Sequence, residues 1–203
     1  RGAVVKVFIG VKLPSAVKKQ LVDFQKEVIR ASIKGSFTDP NNFHLTMRFI
    51  GEVDPDQRCA IETGLARCAE SQLPFLVETN GLGYFSKRNK WIVWLGTKEN
   101  SRLQQLYEQL NDSLLGQKVA MADEVAFIPH LTLGRGIVLW QEWEELSKVP
   151  LPPDQKITVA ALTLFESVRL DGKLVYRPIA DFPFAGQAAA TDRIDSREET
   201  EKS

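Results

Sequence analysis

The chain holds only two histidines, and both stand in the same tripeptide: His44-Leu45-Thr46 and His130-Leu131-Thr132. At ordinary composition the coincidence of a threonine two places after each is about a one-in-four-hundred event, and the shared leucine makes it rarer. On a strand, residues i and i+2 point the same way, so each tripeptide presents an imidazole beside a hydroxyl. Two such strands facing across a cleft would gather two imidazoles and two hydroxyls around one small anion. Histidine titrates near 6.5 when unperturbed, so one ring can take a proton from an attacking water or alcohol while another gives one to a departing alkoxide. Threonine hydroxyls and a nearby arginine can hold the nonbridging oxygens of a phosphate. In-line displacement at a phosphodiester requires groups of this kind on opposite sides of phosphorus.

The elements that must position these residues are legible in part. Val4 to Val11 is a β-branched run that reads as a buried strand. Val17, Leu21, Phe24 and Val28 recur at helical spacing and predict a helix from about Ser15 to Ala31. Asp39-Pro40-Asn41-Asn42 is a turn cluster. Phe43, Leu45, Met47 and Phe49 then alternate with His44, Thr46, Arg48 and Ile50, which places Arg48 on the face of His44 and Thr46. Asp54-Pro55 with Gln57 predicts a capped helix start, and Ile61, Leu65 and Cys68 its inner stripe.

The second half reads similarly. Phe75 to Thr79 and Trp91 to Leu95 are strands, joined through Gly81, Gly83 and a polar tip at Ser86 to Lys90. Leu103, Leu106, Leu110 and Leu114 define a helix closed by Gly116. The second histidine strand follows, with His130 and Thr132 on one face and Leu131 and Leu133 on the other. Trp140, Trp143 and Leu146 suggest a short helix ended by Pro150, Pro152 and Pro153. Ile157 to Arg169 and Leu174 to Phe182 form an expected hairpin around Asp171-Gly172. Strands and helices in this order, with hairpin signals, predict an α+β fold of two lobes. The lobes are expected to be pseudo-duplicated antiparallel sheets with outer helices, and the two tripeptides to lie in a central groove. Residues 1–185 are read as a single bilobed domain and residues 186–203 as a disordered polar tail.

Composition narrows the function classes. The 203 residues carry 26 Lys+Arg against 26 Asp+Glu, which argues against a broad duplex-gripping surface but permits recognition of one terminus or one small anion. The tail is acidic on balance, so the folded body is expected to be slightly basic. No run has the length of a membrane span and no basic-then-apolar leader opens the chain. A cytoplasmic protein without membrane association, and a monomer, is the simplest expectation. The chain opens on Arg1, so its first residue is expected to have been trimmed or lost. Cys59 and Cys68, nine positions apart on one helix, are about 13 Å apart, too far for a disulfide, whose Cα atoms lie within about 7 Å. No zinc-ligand spacing exists. A carboxylate-rich magnesium site is left open by counting, but no metal or cofactor is expected.

At these residues the sequence resembles a known family. FHLTMRFIGEV from Phe43 to Val53 and PHLTLGR from Pro129 to Arg135 are similar to the paired histidine-x-threonine signatures of the two-histidine phosphoesterase superfamily. Within it the chain looks most like the bacterial and archaeal RNA 2',3'-cyclic phosphodiesterases, historically called 2'-5' RNA ligases. The opening VFIGVKLP and the late FESVRLDGKLVY extend the likeness to most of Val4 to Phe184. The resemblance implies hydrolysis of a terminal RNA 2',3'-cyclic phosphate to a 2'-phosphomonoester without a metal, with ligation when a 5'-hydroxyl replaces water. It implies His44 as proton donor to the leaving 3'-oxygen and His130 as the base activating water. Thr46 and Thr132 would hold the phosphate, and Arg135 matches the basic residue that often closes the second signature.

Other residues carry weaker signals. Arg48, on the His44 face, is a second candidate phosphate contact, against the plainer reading of a solvated edge charge. Arg135 reads equally as a surface residue. Lys87, Arg88 and Lys90 form a solvated hairpin tip or an RNA backbone contact. Phe8, Tyr84 and Phe85 are candidates for stacking a terminal base, with core packing the better reading for Phe8. Trp140, Trp143, Cys59 and Cys68 read as core. Two alternatives to an RNA-end phosphodiesterase remain. One is the same chemistry on small cyclic nucleotides, ADP-ribose cyclic phosphate or 2'-5' oligoadenylate. The other is an RNA-end-binding module without catalysis, against which the intact histidines and threonines speak.

Overall fold

The computed structural model describes residues 2–88, 90–122, 126–150 and 156–186. Pro152, Pro153 and all of the expected tail beyond Gly186 lie outside the described residues. Strand β1 (Val5–Lys12) leads into helix α1 (Ser15–Arg30), edge strand β2 (Ser32–Phe37), a single 3-10 turn at Pro40–Asn42, and strand β3 (His44–Val53). Helix α2 (Pro55–Glu70), strands β4 (Phe75–Lys87) and β5 (Lys90–Thr97), helix α3 (Ser101–Gly116) and strand β6 (His130–Leu139) follow. The short helix α4 (Trp143–Ser147) precedes β7 (Lys156–Val159), β8 (Ala161–Leu170) and β9 (Lys173–Pro183). The strands form two antiparallel sheets, one in the order β3-β1-β8-β9 and the other β2-β6-β5-β4-β7. This is the expected two-lobed α+β architecture, with a histidine-bearing strand in each lobe.

The local devices that shape the ends of the elements are largely those read from sequence. Asp54 accepts from the Gln57 backbone N–H and the Gln57 side chain accepts from Asp54 N–H, so α2 opens on a complete capping box, a contribution of about 1 kcal/mol. Asp171 and Gly172 take the left-handed conformations (φ 50° and 77°) that a two-residue hairpin needs. Gly116, in contrast, is the last residue of α3 rather than its left-handed stop; the positive φ falls on Lys118.

Chain order and lobe membership do not coincide. β2 leaves the first half and pairs with β6 at the edge of the second sheet. The expected strand from Ile157 to Arg169 is broken at Ala160: Ile157 and Val159 pair with β4 in the second sheet, while β8 crosses to pair with β1 in the first. Each lobe therefore needs strands from both ends of the chain. Helix α2 packs on the first sheet through Ile61, Leu65 and Cys68 and lies against α3, where Gly64 lets the helices meet; a Cβ there would sit 3.2 Å from the Ser113 carbonyl oxygen. Helix α1 buries Val17, Leu21, Phe24 and Val28 on its inner face. Cys68 is buried as expected but Cys59 is exposed on α2. Trp140 is 62% exposed and donates from its indole to the Arg30 carbonyl, so it precedes α4 on the surface rather than joining the core. Among the described residues no helix is long and apolar enough to cross a membrane.

Candidate active site

The strands β3 and β6 share the burial sequence half-buried, buried, half-buried, buried, buried, exposed, starting from His44 and from His130. Its cause is the same irregularity in both ladders. In β3, Gly10 of β1 pairs with Thr46 and Ile9 with Arg48, so Met47 is an extra residue. In β6, Trp94 of β5 pairs with Thr132 and Val93 with Gly134, so Leu133 is extra. A bulge of this kind lets two successive residues face inward and inverts the alternation beyond it. The carbonyl of Leu133 accepts both the Thr38 backbone N–H at 3.0 Å and the Gln25 side-chain amide at 2.8 Å, which leaves no buried acceptor unmet there.

The bulge corrects the reading of Arg48. It does not share the face of His44 and Thr46. It is turned inward, 6% exposed, with one nitrogen donating to the Tyr107 hydroxyl at 3.0 Å and another to the Ala122 carbonyl. Phe49, which strict alternation would bury, is turned outward instead and is 54% exposed. It occupies in β3 the place that Arg135 occupies in β6, five residues after the histidine. Aligning the two signatures residue by residue is the signal that could have found it.

The structure brings His44, Thr46, His130, Thr132 and Arg135 together around one small cavity, completed by Thr38, Asn42, Phe49 and Tyr176. Its enclosed volume of about 30 Å³ admits a small anionic group while the rest of a ligand lies outside. A larger cavity of about 580 Å³, against the N-terminal end of α3, contains neither histidine. Thr38, Asn42, Phe49 and Tyr176 join the site without a chemical signature in the sequence. Asn42 had shown itself only as a turn residue, and nothing local marks Tyr176.

Each imidazole is oriented by the chain two residues before it. Nδ1 of His44 donates to the Asn42 carbonyl at 2.7 Å, and Nδ1 of His130 donates to the Ile128 carbonyl at 2.7 Å. A carbonyl can only accept, so Nδ1 carries the proton in both neutral rings and Nε2 is the nitrogen able to accept one. His44 Nε2 meets the Thr46 hydroxyl at 2.6 Å. Asn42 is itself clipped to β9, its side chain donating to the Leu174 carbonyl and accepting from Tyr176 N–H. Aromatic rings wall both histidines. His44 lies against Phe8 and edge-on to Tyr176, and His130 lies edge-on to Phe85 and beside Trp94. Phe8 is 2% exposed and serves packing, as expected. Tyr84 stacks instead on Trp91 at 4.2 Å, with Trp143 edge-on to both.

Burial in this apolar surround lowers the pKa of both rings. His44 is held at about 4, chiefly by desolvation and further by the nearby positive charges of His130, Arg135 and Lys18; its bond to Asn42 opposes this. His130 is lowered for the same reason, with Arg135 adding and the Ile128 carbonyl opposing. At neutral pH the site thus holds two neutral imidazoles beside one guanidinium, an arrangement that a phosphate anion would complete. Among the described residues no group of three or more His, Cys, Asp or Glu side chains is placed to hold a metal ion.

Comparison with known proteins bears on what this arrangement is. Residues 15–171 match the family model described as the 2'-5' RNA ligase superfamily. A protein of Thermotoga maritima named RNA 2',3'-cyclic phosphodiesterase is 27% identical over 183 residues, 89% of this chain and 96% of its own. One of the same name from Thermus thermophilus is 31% identical over 136 residues, 64% of this chain and 68% of its own. The crystal structure of E. coli LigT in apo form superposes with a TM-score of 0.74 at 23% identity, covering 90% of this chain and 99% of that one.

Proposed function

We propose, starting from the fact that this chain belongs to the 2'-5' RNA ligase superfamily, that it hydrolyses the 2',3'-cyclic phosphate at an RNA 3' end to a 2'-phosphomonoester. Relatives that match it along most of their length carry the name RNA 2',3'-cyclic phosphodiesterase. The observation that carries the reading is the convergence of both His-x-Thr pairs and Arg135 on one cavity, with Nδ1 of each ring held by a backbone carbonyl so that Nε2 is the nitrogen on the side away from it, that of His44 meeting the Thr46 hydroxyl.

In the reaction, neutral His130 takes a proton from water at Nε2 as the water oxygen bonds to phosphorus. The bond from phosphorus to O3' breaks, and O3' takes the proton that His44 carries on Nε2. The 2'-ester bond survives, so the product is a 2'-phosphate and one water is consumed. Thr46, Thr132 and Arg135 hold the nonbridging oxygens, and Arg135 offsets the charge that builds on them. With a 5'-hydroxyl in place of water, the same acid and base would form a 2'-5' linkage. The reading takes residues 1–185 as one bilobed catalytic unit, acting in the cytoplasm as a monomer and without a metal.

The test is to incubate the protein, in EDTA, with an RNA ending in a 2',3'-cyclic phosphate and identify the product. A 2'-phosphate is expected, and His44→Ala and His130→Ala should each lower the rate by a factor of about 10² to 10⁴. A 3'-phosphate, a strict demand for a divalent ion, or full activity in either variant rejects the mechanism.

A further inference from the structure

The small catalytic cavity shares a wall with a second, larger one. This neighbour, about 370 Å³, shares Thr38, Asn42, Arg135 and Tyr176 with the catalytic cavity and extends between β2 and the β8–β9 hairpin. Its volume lies in the range of roughly 300–1,000 Å³ typical of ligand sites, so it is large enough for a nucleotide where the catalytic cavity is not. Three cations line it, Arg135, Arg169 and Lys173, against a single carboxylate, Asp39, which already accepts from the Asn41 backbone N–H. All three cations are exposed, and among the described residues none of them pairs with an acid. In a chain with no net charge, three cations along one groove without an acidic partner among the described residues, Arg169 donating only to the Gly172 carbonyl, are a local concentration of the kind that tracks a polynucleotide backbone.

We infer that this groove binds the sugar-phosphate backbone on the 5' side of the cyclic phosphate, with Arg169 and Lys173 holding the next phosphates, so that the protein selects oligonucleotide ends over mononucleotides. The inference rests on the function proposed above and fixes the direction of the strand. If His44 protonates the leaving O3', the ribose lies on the His44 side of phosphorus and the attacking water on the His130 side. The groove opens on the His44 side: Asn42 and Tyr176, two of its shared walls, are the residues that bond and pack against the His44 ring. The chain leaving that ribose through its 5' oxygen therefore enters the groove, and the water approaches from the side of His130, whose ring packs against Phe85 and Trp94.

The test compares kcat/KM on a short RNA ending in a 2',3'-cyclic phosphate with that on the corresponding 2',3'-cyclic mononucleotide, in the wild type and in the exposed double variant Arg169→Ala/Lys173→Ala. The wild type should favour the oligonucleotide, and the variant should reduce that preference about tenfold. With two phosphate contacts removed, the slope of log affinity against log salt for the oligonucleotide should become shallower by roughly 1.4. A wild-type ratio near one, or a ratio and salt slope indifferent to the substitutions, overturns the inference. If neither substrate turns over, the catalytic reading is what fails. The groove is then judged by fluorescence anisotropy with the same labelled oligonucleotide: weaker, less salt-dependent binding by the variant sustains it, and equal binding by both proteins overturns it.

Discussion

A general acid must carry a proton, yet His44 titrates at about 4 in the free protein. Charging it in place, against a reference of 6.5, costs about 3 kcal/mol, and at pH 7 about one molecule in a thousand carries the proton. A bound phosphate supplies the missing term. One negative charge about 4 Å from the ring, at the effective dielectric of a partly buried site, is worth about 4 kcal/mol. That matches the burial penalty, so anion binding should return His44 to its ordinary value or above and should draw a proton into the site.

The two histidines make this directly observable, since their Cε1–H resonances are the only ones of their kind in the chain. In the free protein the His44 signal should titrate near 4 and the His130 signal below the ordinary value. With saturating inorganic phosphate or the 2'-phosphate product, the His44 midpoint should rise by at least two pH units. The sign for catalysis follows. On the acid side kcat falls as His130 becomes protonated in the bound state. On the alkaline side kcat falls as bound-state His44 loses its proton. A free His44 that titrates near 6.5, or one unmoved by the anion, would refute both the burial argument and its role as the acid.

Arg48→Met should lower stability by about 1–3 kcal/mol, because it removes the buried guanidinium's bonds to the Tyr107 hydroxyl and the Ala122 carbonyl. KM measured below its melting transition should be unchanged; a raised KM with an unchanged Tm would restore Arg48 to the site. Gly10→Ala would place a Cβ 2.8 Å from the Leu45 carbonyl and 3.5 Å from the His44 ring, so strand β3 must shift. A cost of about 1–3 kcal/mol is expected, with a loss of kcat, and crystallography or His44 chemical shifts would show whether the ring moved. Light scattering at working concentrations should give the mass of one chain, and a stable dimer would contradict the monomeric reading.

The residues that do the chemistry were legible because two of them are the only histidines, each two positions from a threonine, and a strand puts such pairs on one face whatever its neighbours do. The α2 capping box and the Asp171-Gly172 turn were equally local, resting on side chains bonding to backbone within three residues or on a single left-handed pair. Where the pattern stopped predicting, a partner strand had intervened. The bulges at Met47 and Leu133 are set by the registers of β3 against β1 and of β6 against β5. They invert the faces of everything downstream, hiding Arg48 and presenting Phe49. The break at Ala160, which divides one expected strand between two sheets, likewise belongs to pairing and not to composition. The depressed pKa of His44 comes chiefly from burial, and the rings packed against it, Phe8 and Tyr176, lie far from it in the chain. Residue type and spacing alone determine which groups could exchange protons with a phosphate. Only the packing of one lobe against the other set their distance, their dryness and therefore which of them is charged.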